Sequence, residues 1–328
     1  MEESPVSVED LDVVVAFLNC GHGDAAVVRF RDKGQVRTLV IDGGPPSYKT
    51  GLLDYLTSNG ITTVDLMVAT HIDRNHIGGL VPVVASDDMT IKNFWGPVCE
   101  STEAIVEGLR TDDERLYQRL YAQVARKVDA ASLLCPTRST PLPELFTVAT
   151  LTVLNPRTPS VLAPAMAGAP KRRPAAVAAE QNEHIIVLHF ESHGMSVLFT
   201  SDAEGHFWAY VAQNEDFLRY LDVHILKMPN YGRLSGFPPS LAAEIPELGA
   251  VVFSIDAKGD RQPSEEVVRL VTERGAQVFC TQHAPTTTSC TNACCCAARG
   301  GQNVLFFAYH GCRSFPPGAE ACTVGKMA

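Results

Sequence analysis

The segment ATHIDRNHIGGL, residues 69 to 80, places His71, Asp73 and His76 within six positions and closes on a pair of glycines. A histidine followed at i+2 by a carboxylate and at i+5 by a second histidine, in a tight loop after an apolar strand, can aim several donors at one point. Zinc and related ions take imidazole nitrogen and carboxylate oxygen from such loops. Histidines are also common in loops that bind nothing, so the residues alone leave both readings open.

Other side chains could join this chemistry. Tyr231 and Arg233, in KMPNYGR, offer a phenol and a guanidinium that could hold an anionic substrate, or are ordinary surface residues of a loop. His22 and Asp24 in GHGD read best as a turn between strands, and Asp42 in IDGG as a buried organiser of its loop. Nucleophilic catalysis has little support, because the chain has no GxSxG elbow and no cysteine set in a motif with a histidine partner. Phosphate-loop and dinucleotide-binding glycine motifs are absent as well.

The elements that must position these residues follow from apolar runs and turn signals. Residues 13–18, 25–30 and 36–41 are β-rich runs separated by NCGHGD and RDKGQ, which predicts an antiparallel meander. A helix is expected near 50–58, then the strand VDLMVAT, which delivers Thr70 and His71 at its C-terminal end, then a short helix over 78–86. Helical spacing of Ile105, Leu109, Leu116, Leu120, Val124 and Val128 predicts an inserted helix over 103–128. Residues 155–180, rich in proline and alanine and without periodicity, read as a mobile loop. The second half repeats the alternation: strands HIIVLHF, SVLFTS, DVHILKM, AVVFSI and AQVFCT, with helices over 204–220, 239–245 and 264–274. Two such halves predict an α/β fold in which two mixed sheets pack face to face between outer helices.

Composition bounds the function. The chain has 328 residues, 45% of them hydrophobic, enough for one large core or two modest ones. No apolar run approaches the roughly 20 residues that cross a bilayer, and the acidic start lacks the features of a secretion signal, so the expectation is a cytoplasmic protein with no membrane partner. A formal charge of −10 argues against long nucleic acid as a partner. The ten cysteines are expected to be mostly reduced thiols; six of them crowd the last forty residues without paired CxxC spacing.

Taken in order, FLNCGHGDAAVVRF, LVIDGG, THIDRNHIGGL, NEHIIVLHFESHGMSVLFTSDAEG, LDVHILKMPNYG and RQPSEEVVRLVTERGAQVFCTQ resemble the metallo-β-lactamase superfamily, and within it the hydrolase domain of DNA-internalisation competence proteins. The resemblance runs from about Val13 to Cys280. It implies a four-layer αββα sandwich over residues 1–285, with a helical insertion at about 97–135, and leaves 286–328 as a Cys-rich extension packing on the same domain. It also implies His71, Asp73, His76 and Asp202 as metal ligands. His184 stands near a further family histidine, although it reads equally as a strand residue facing a polar partner. Three positions depart from the family pattern. Asn75 replaces an aspartate that binds a second metal and orients water, Asn230 replaces a histidine of PHHGS-like relatives, and Gln262 stands where such relatives often carry histidine.

An amide oxygen is a poor ligand for zinc and better suited to harder ions. The expectation is therefore one divalent ion, Zn²⁺ or Mn²⁺, more than two. His71, Asp73 and Asp202 would be its ligands, His76 a ligand or proton carrier, and Asp73, Asn75 and His76 the catalytic group. Asn230, Tyr231 and Arg233 would face a small anionic substrate or a phosphodiester. Without a cation, Asp73 and Asp202 should repel one another and at least one pKa should rise. The competing expectation is a pseudoenzyme that keeps the fold as a binding or scaffold module, with a protein as its partner.

Overall fold

The computed structural model describes residues 11–46, 51–97, 112–157, 184–245, 248–255, 263–281 and 304–309. Its first sheet begins with the expected meander, β1 (Val13–Leu18), β2 (Ala25–Asp32) and β3 (Gln35–Gly43), paired antiparallel. Beyond β3 the sheet turns parallel through β5 (Leu66–Val68), β7 (Phe94–Trp95) and β8 (Leu133–Leu134). The second sheet repeats the plan. There β9 (Ala149–Asn155), β10 (Val187–Ser192) and β11 (Met195–Phe199) are antiparallel, and β12 (Ile225–Lys227), β13 (Ala250–Phe253) and β14 (Gln277–Cys280) follow in parallel.

The side-chain alternation explains why β1 reads as an unbroken apolar run. Val13, Val15 and Phe17 point into the layer between the sheets, and Ala16 and Leu18 point outward to helices, so both faces are buried. In the second sheet Val197, Ile225, Val252 and Phe279 face inward, while Leu198, Leu226, Val251 and Val278 face helices. On the first sheet's outer side lie α1 (Gly51–Ser58), α2 (Arg74–Ile77), α3 (Leu80–Ala85) and α4 (Asp112–Lys127). The second sheet carries α5 (Gly205–Ala212), α6 (Glu215–Leu218), α7 (Pro239–Glu244) and α8 (Glu265–Glu273). The result is the four-layer αββα sandwich.

Several details differ from expectation. VDLMVAT is split into β4 (Thr63–Val64) and β5 because Asp65 leaves the ladder: its carboxylate accepts the Thr38 N–H at 2.9 Å and pairs with Lys92 at 2.8 Å. β4 pairs instead with β6 (Thr90–Ile91). The helix expected over 204–220 breaks at Asn214, whose side chain donates back to the Tyr210 carbonyl at 2.6 Å while the residue caps α6. Of the helix expected over 103–128, α4 is the described part, burying Tyr117, Leu120, Tyr121 and Val124. Residues 98–111, most of the proline-rich loop and Gln262 lie outside the described residues. A last strand, β15 (Val304–Tyr309), pairs antiparallel with β1 and extends the first sheet from within the Cys-rich segment.

The expectation of mostly reduced thiols has two exceptions among the described residues. Cys135 and Cys280 are disulfide-bonded, because the fold brings sulfur partners within reach that no sequence spacing displays. Cys20 is a buried free thiol, its pKa raised by burial. Among the described residues no helix is long and apolar enough to cross a membrane.

Candidate metal centre

The candidate residues leave the C-terminal ends of parallel strands, where an open α/β sheet exposes its loops. β5 delivers Thr70 and His71, β3 carries Asp42 one residue before its end, β11 leads to Ser201 and Asp202, and β12 leads to the 229–232 turn. The glycine pair that closes the histidine segment is a packing requirement. A Cβ on Gly79 would lie 1.8 Å from the Gly43 carbonyl oxygen, so only glycine lets α2 and α3 press against the end of β3.

Asp42 organises the centre from below. One oxygen accepts the Thr70 backbone N–H at 2.8 Å; the other accepts the Thr70 hydroxyl at 2.7 Å and pairs with His76 Nδ1 at 2.8 Å. These bonds fix a proton order. Thr70 gives its only hydroxyl proton to Asp42, so the proton in its 2.6 Å contact with Ser201 must come from Ser201. His71 Nδ1, 3.1 Å from both hydroxyls, then has only acceptors to meet and carries a proton itself. In the neutral ring Nε2 is left as a lone pair, the tautomer a metal ligand needs.

That Nε2 atom is buried without a hydrogen-bond partner, as is Asp202 Oδ1. It stands 3.7 Å from Asp73 Oδ2 and 3.8 Å from Asp202 Oδ2, too far for hydrogen bonds. Donors placed about 2.0–2.1 Å from one tetrahedral ion are separated by about 3.4 Å, so these spacings fall within a few tenths of an ångström of a ligand set. Asp73 occupies the N-cap position of α2 yet makes no capping bond, leaving its carboxylate to the His71 side. The donor types and the unpartnered atoms fit a divalent cation at His71 Nε2: Asp202 is a carboxylate beside it in the cluster of ligand atoms, and Asp73 stands 3.7 Å from the same nitrogen.

His76 is differently placed. Its Nε2 lies 3.5 Å from Asp202 Oδ2, and His71, His76 and Asp202 form a group of ligand atoms all within 4.8 Å of one another. Yet Nε2 is already hydrogen-bonded to the Tyr231 hydroxyl at 2.7 Å, and Asn75 donates its amide to the same hydroxyl. Tyr231 is 2% exposed, so its phenol is part of the centre's floor, while Arg233 is exposed on the rim. Asn230 turns away and donates to Glu204 at 2.7 Å. His184, at the turn before β10, is not part of the His71–His76–Asp202 group.

The electrostatics reverse the expectation of two repelling carboxylates. Burial alone would raise the Asp202 pKa, but His76, His71 and Lys227 outweigh it and hold the group at about 2. Asp73 is likewise lowered, burial being overcome by His71 and His76. For His76, burial opposes the charged form, yet the carboxylates of Asp202 and Asp42 hold its pKa well above the ordinary value. Lys227 is the charge the sequence pattern does not announce. It is 4% exposed and forms a 2.9 Å ion pair with Asp24. A lysine ending the otherwise apolar strand Ile225–Lys227 is the signal that could have found it.

No family profile and no curated protein sequence matches this chain. Solved structures do. The chain is similar to the metallo-beta-lactamase fold protein YhfI from Bacillus subtilis, at 11% identity and a TM-score of 0.45 over 82% of this chain and 96% of that one. It is similar to a diphosphatase from the PhnP family, at 13% identity and 0.44 over 83% and 95%. Zn(2+)-bound PqqB from Methylobacterium extorquens shows 14% identity and 0.45 over 81% and 97%. These are likenesses of chain path; what the centre can do is read from its own residues.

Proposed function

We propose that the chain is a hydrolase of the metallo-β-lactamase fold that works with one divalent cation, Zn²⁺ or Mn²⁺, on a small phosphodiester-type substrate. The observation that carries this reading is the buried, unpartnered His71 Nε2 facing Asp73 and Asp202. A bound ion supplies Lewis acidity toward a phosphoryl or carbonyl oxygen.

The chain's own residues do the rest. Asp42, Thr70 and Ser201 hold the His71 ring in the tautomer and orientation that presents Nε2. Lys227 and His76 keep Asp202 ionised as an acceptor. His76, paired with Asp42 at Nδ1, holds a proton beside the site. Arg233, exposed at the edge of the 229–232 turn, supplies a guanidinium for an anionic substrate.

The test is hydrolysis of bis(4-nitrophenyl) phosphate by purified protein with added Mn²⁺ or Zn²⁺. Turnover is expected in the wild type, loss of it in His71→Ala, and a fall of about 10- to 100-fold in Ser201→Ala, which disturbs only the residue orienting His71. Cation binding without turnover of any phosphodiester would sink the hydrolase and leave a binding module, the second reading that the engagement of Asn75 and His76 by Tyr231 favours.

A further inference from the structure

A second cation beside the first would need the free faces of His76 and Asn75, and Tyr231 is built into that place. The His76 ring has two coordinating atoms, and both are taken: Nδ1 by Asp42 at 2.8 Å and Nε2 by the Tyr231 hydroxyl at 2.7 Å. Whichever partner carries the proton in the Nε2 contact, the lone-pair direction of that nitrogen is filled by the phenol oxygen. Asn75 spends its amide on the same oxygen.

The phenol is held there by the whole loop. Asn230, Tyr231 and Gly232 have consecutive positive φ angles of 43°, 56° and 81°, a run that two non-glycine residues adopt only when the surroundings impose it. The imposing contacts are visible. The Asn230 N–H donates to the Ser201 carbonyl at 2.9 Å and its side chain to Glu204 at 2.7 Å, while the His22 ring packs 4.4 Å from the Tyr231 ring. In this conformation the Tyr231 hydroxyl reaches His76 Nε2 at 2.7 Å.

We infer that Tyr231 is a fixed plug whose hydroxyl occupies the position of a second cation between Asn75 and His76, and so limits the centre to a single ion. The inference deepens the proposed function and rests on it for the first ion. It also moves the cause of the single-ion site. Asn230, the amide that replaces a histidine of the related pattern, faces Glu204 and not the centre, so restoring a histidine there would not open the second position.

The test is Mn²⁺ stoichiometry by electron paramagnetic resonance on the full chain. Mn²⁺ is chosen because it favours oxygen ligands over the cysteine thiols that would collect zinc. We expect one ion per chain in the wild type. We expect two in Tyr231→Ala, which empties the position, and in Tyr231→His, which keeps an aromatic ring and adds a nitrogen donor. Melting curves on each variant establish that it is folded. If folded Tyr231→Ala and Tyr231→His bind no more ions than the wild type, or if the wild type already binds two, the plug is overturned. A wild type that binds none while Tyr231→Ala binds one would sustain the plug and remove the single-ion reading; none in either overturns both.

Discussion

Millimolar Mn²⁺ raises the melting temperature of the wild-type chain by several degrees, and Asp202→Asn abolishes the rise. A ligand that binds only the folded state adds about 4 kcal/mol at a thousand times its Kd. In a chain longer than about 200 residues each kcal/mol is worth about 2–4 °C. Asp202→Asn removes one carboxylate of the proposed ligand set and with it a charge that attracts the cation. The variant should also lose stability without metal. Asp202 is held at about 2 against an ordinary 3.8, so its carboxylate contributes on the order of 2 kcal/mol to the folded state near neutral pH. For a depressed carboxylate that contribution is complete above the unfolded value and disappears as pH falls through the folded one. Denaturant titrations of the metal-free proteins from pH 5 down to pH 2 should therefore show the wild type losing its advantage over Asp202→Asn between about pH 4 and about pH 2. Equal stability of the two at pH 7 would contradict the charge arrangement around Asp202.

Lys227→Met costs about 3–5 kcal/mol in urea unfolding, the range for stranding one member of a buried ion pair. Asp24 is 7% exposed and 2.9 Å from the Lys227 ammonium, so its carboxylate would be left without the ion-pair partner that offsets its burial. Lys227→Met combined with Asp24→Asn removes both charges and should recover at least half of the loss, which separates the missing ion pair from damage to β12. A cost below about 1 kcal/mol would mean that water reaches Asp24 and replaces the lysine.

The fold was readable where burial is two-sided. β1 and β13 are continuous apolar runs because helices cover one face and the opposite sheet the other, and such runs stand out in any sequence. Two-residue strands such as β7 and β8 are defined by pairing with neighbours, and so have no pattern of their own. β15 follows a cysteine-rich stretch and owes its place to β1, more than two hundred residues away in the chain.

The centre was readable to the level of residue type. His71, Asp73 and His76 declare their chemistry by identity and spacing, Asp202 enters through the family resemblance, and the fold brings them together at the strand ends. What identity does not carry is direction. PNYG places an asparagine and a tyrosine side by side, and only the left-handed backbone at both decides that the tyrosine enters the centre and the asparagine leaves it. The hydroxyls of Thr70 and Ser201 are equally silent in sequence, because their role is a 2.6 Å contact between residues 131 positions apart. The lowered Asp202 pKa has the same origin: the compensating charges of His76, His71 and Lys227 arrive from other elements.

The most direct test is a crystal of the wild-type chain grown with Mn²⁺ and measured for anomalous scattering. The account predicts one peak per chain, within coordination distance of His71 Nε2, Asp73 and Asp202, with the Tyr231 hydroxyl still bonded to His76. A chain with no peak there, or with its peak between Asn75 and His76 and the tyrosine displaced, would contradict it.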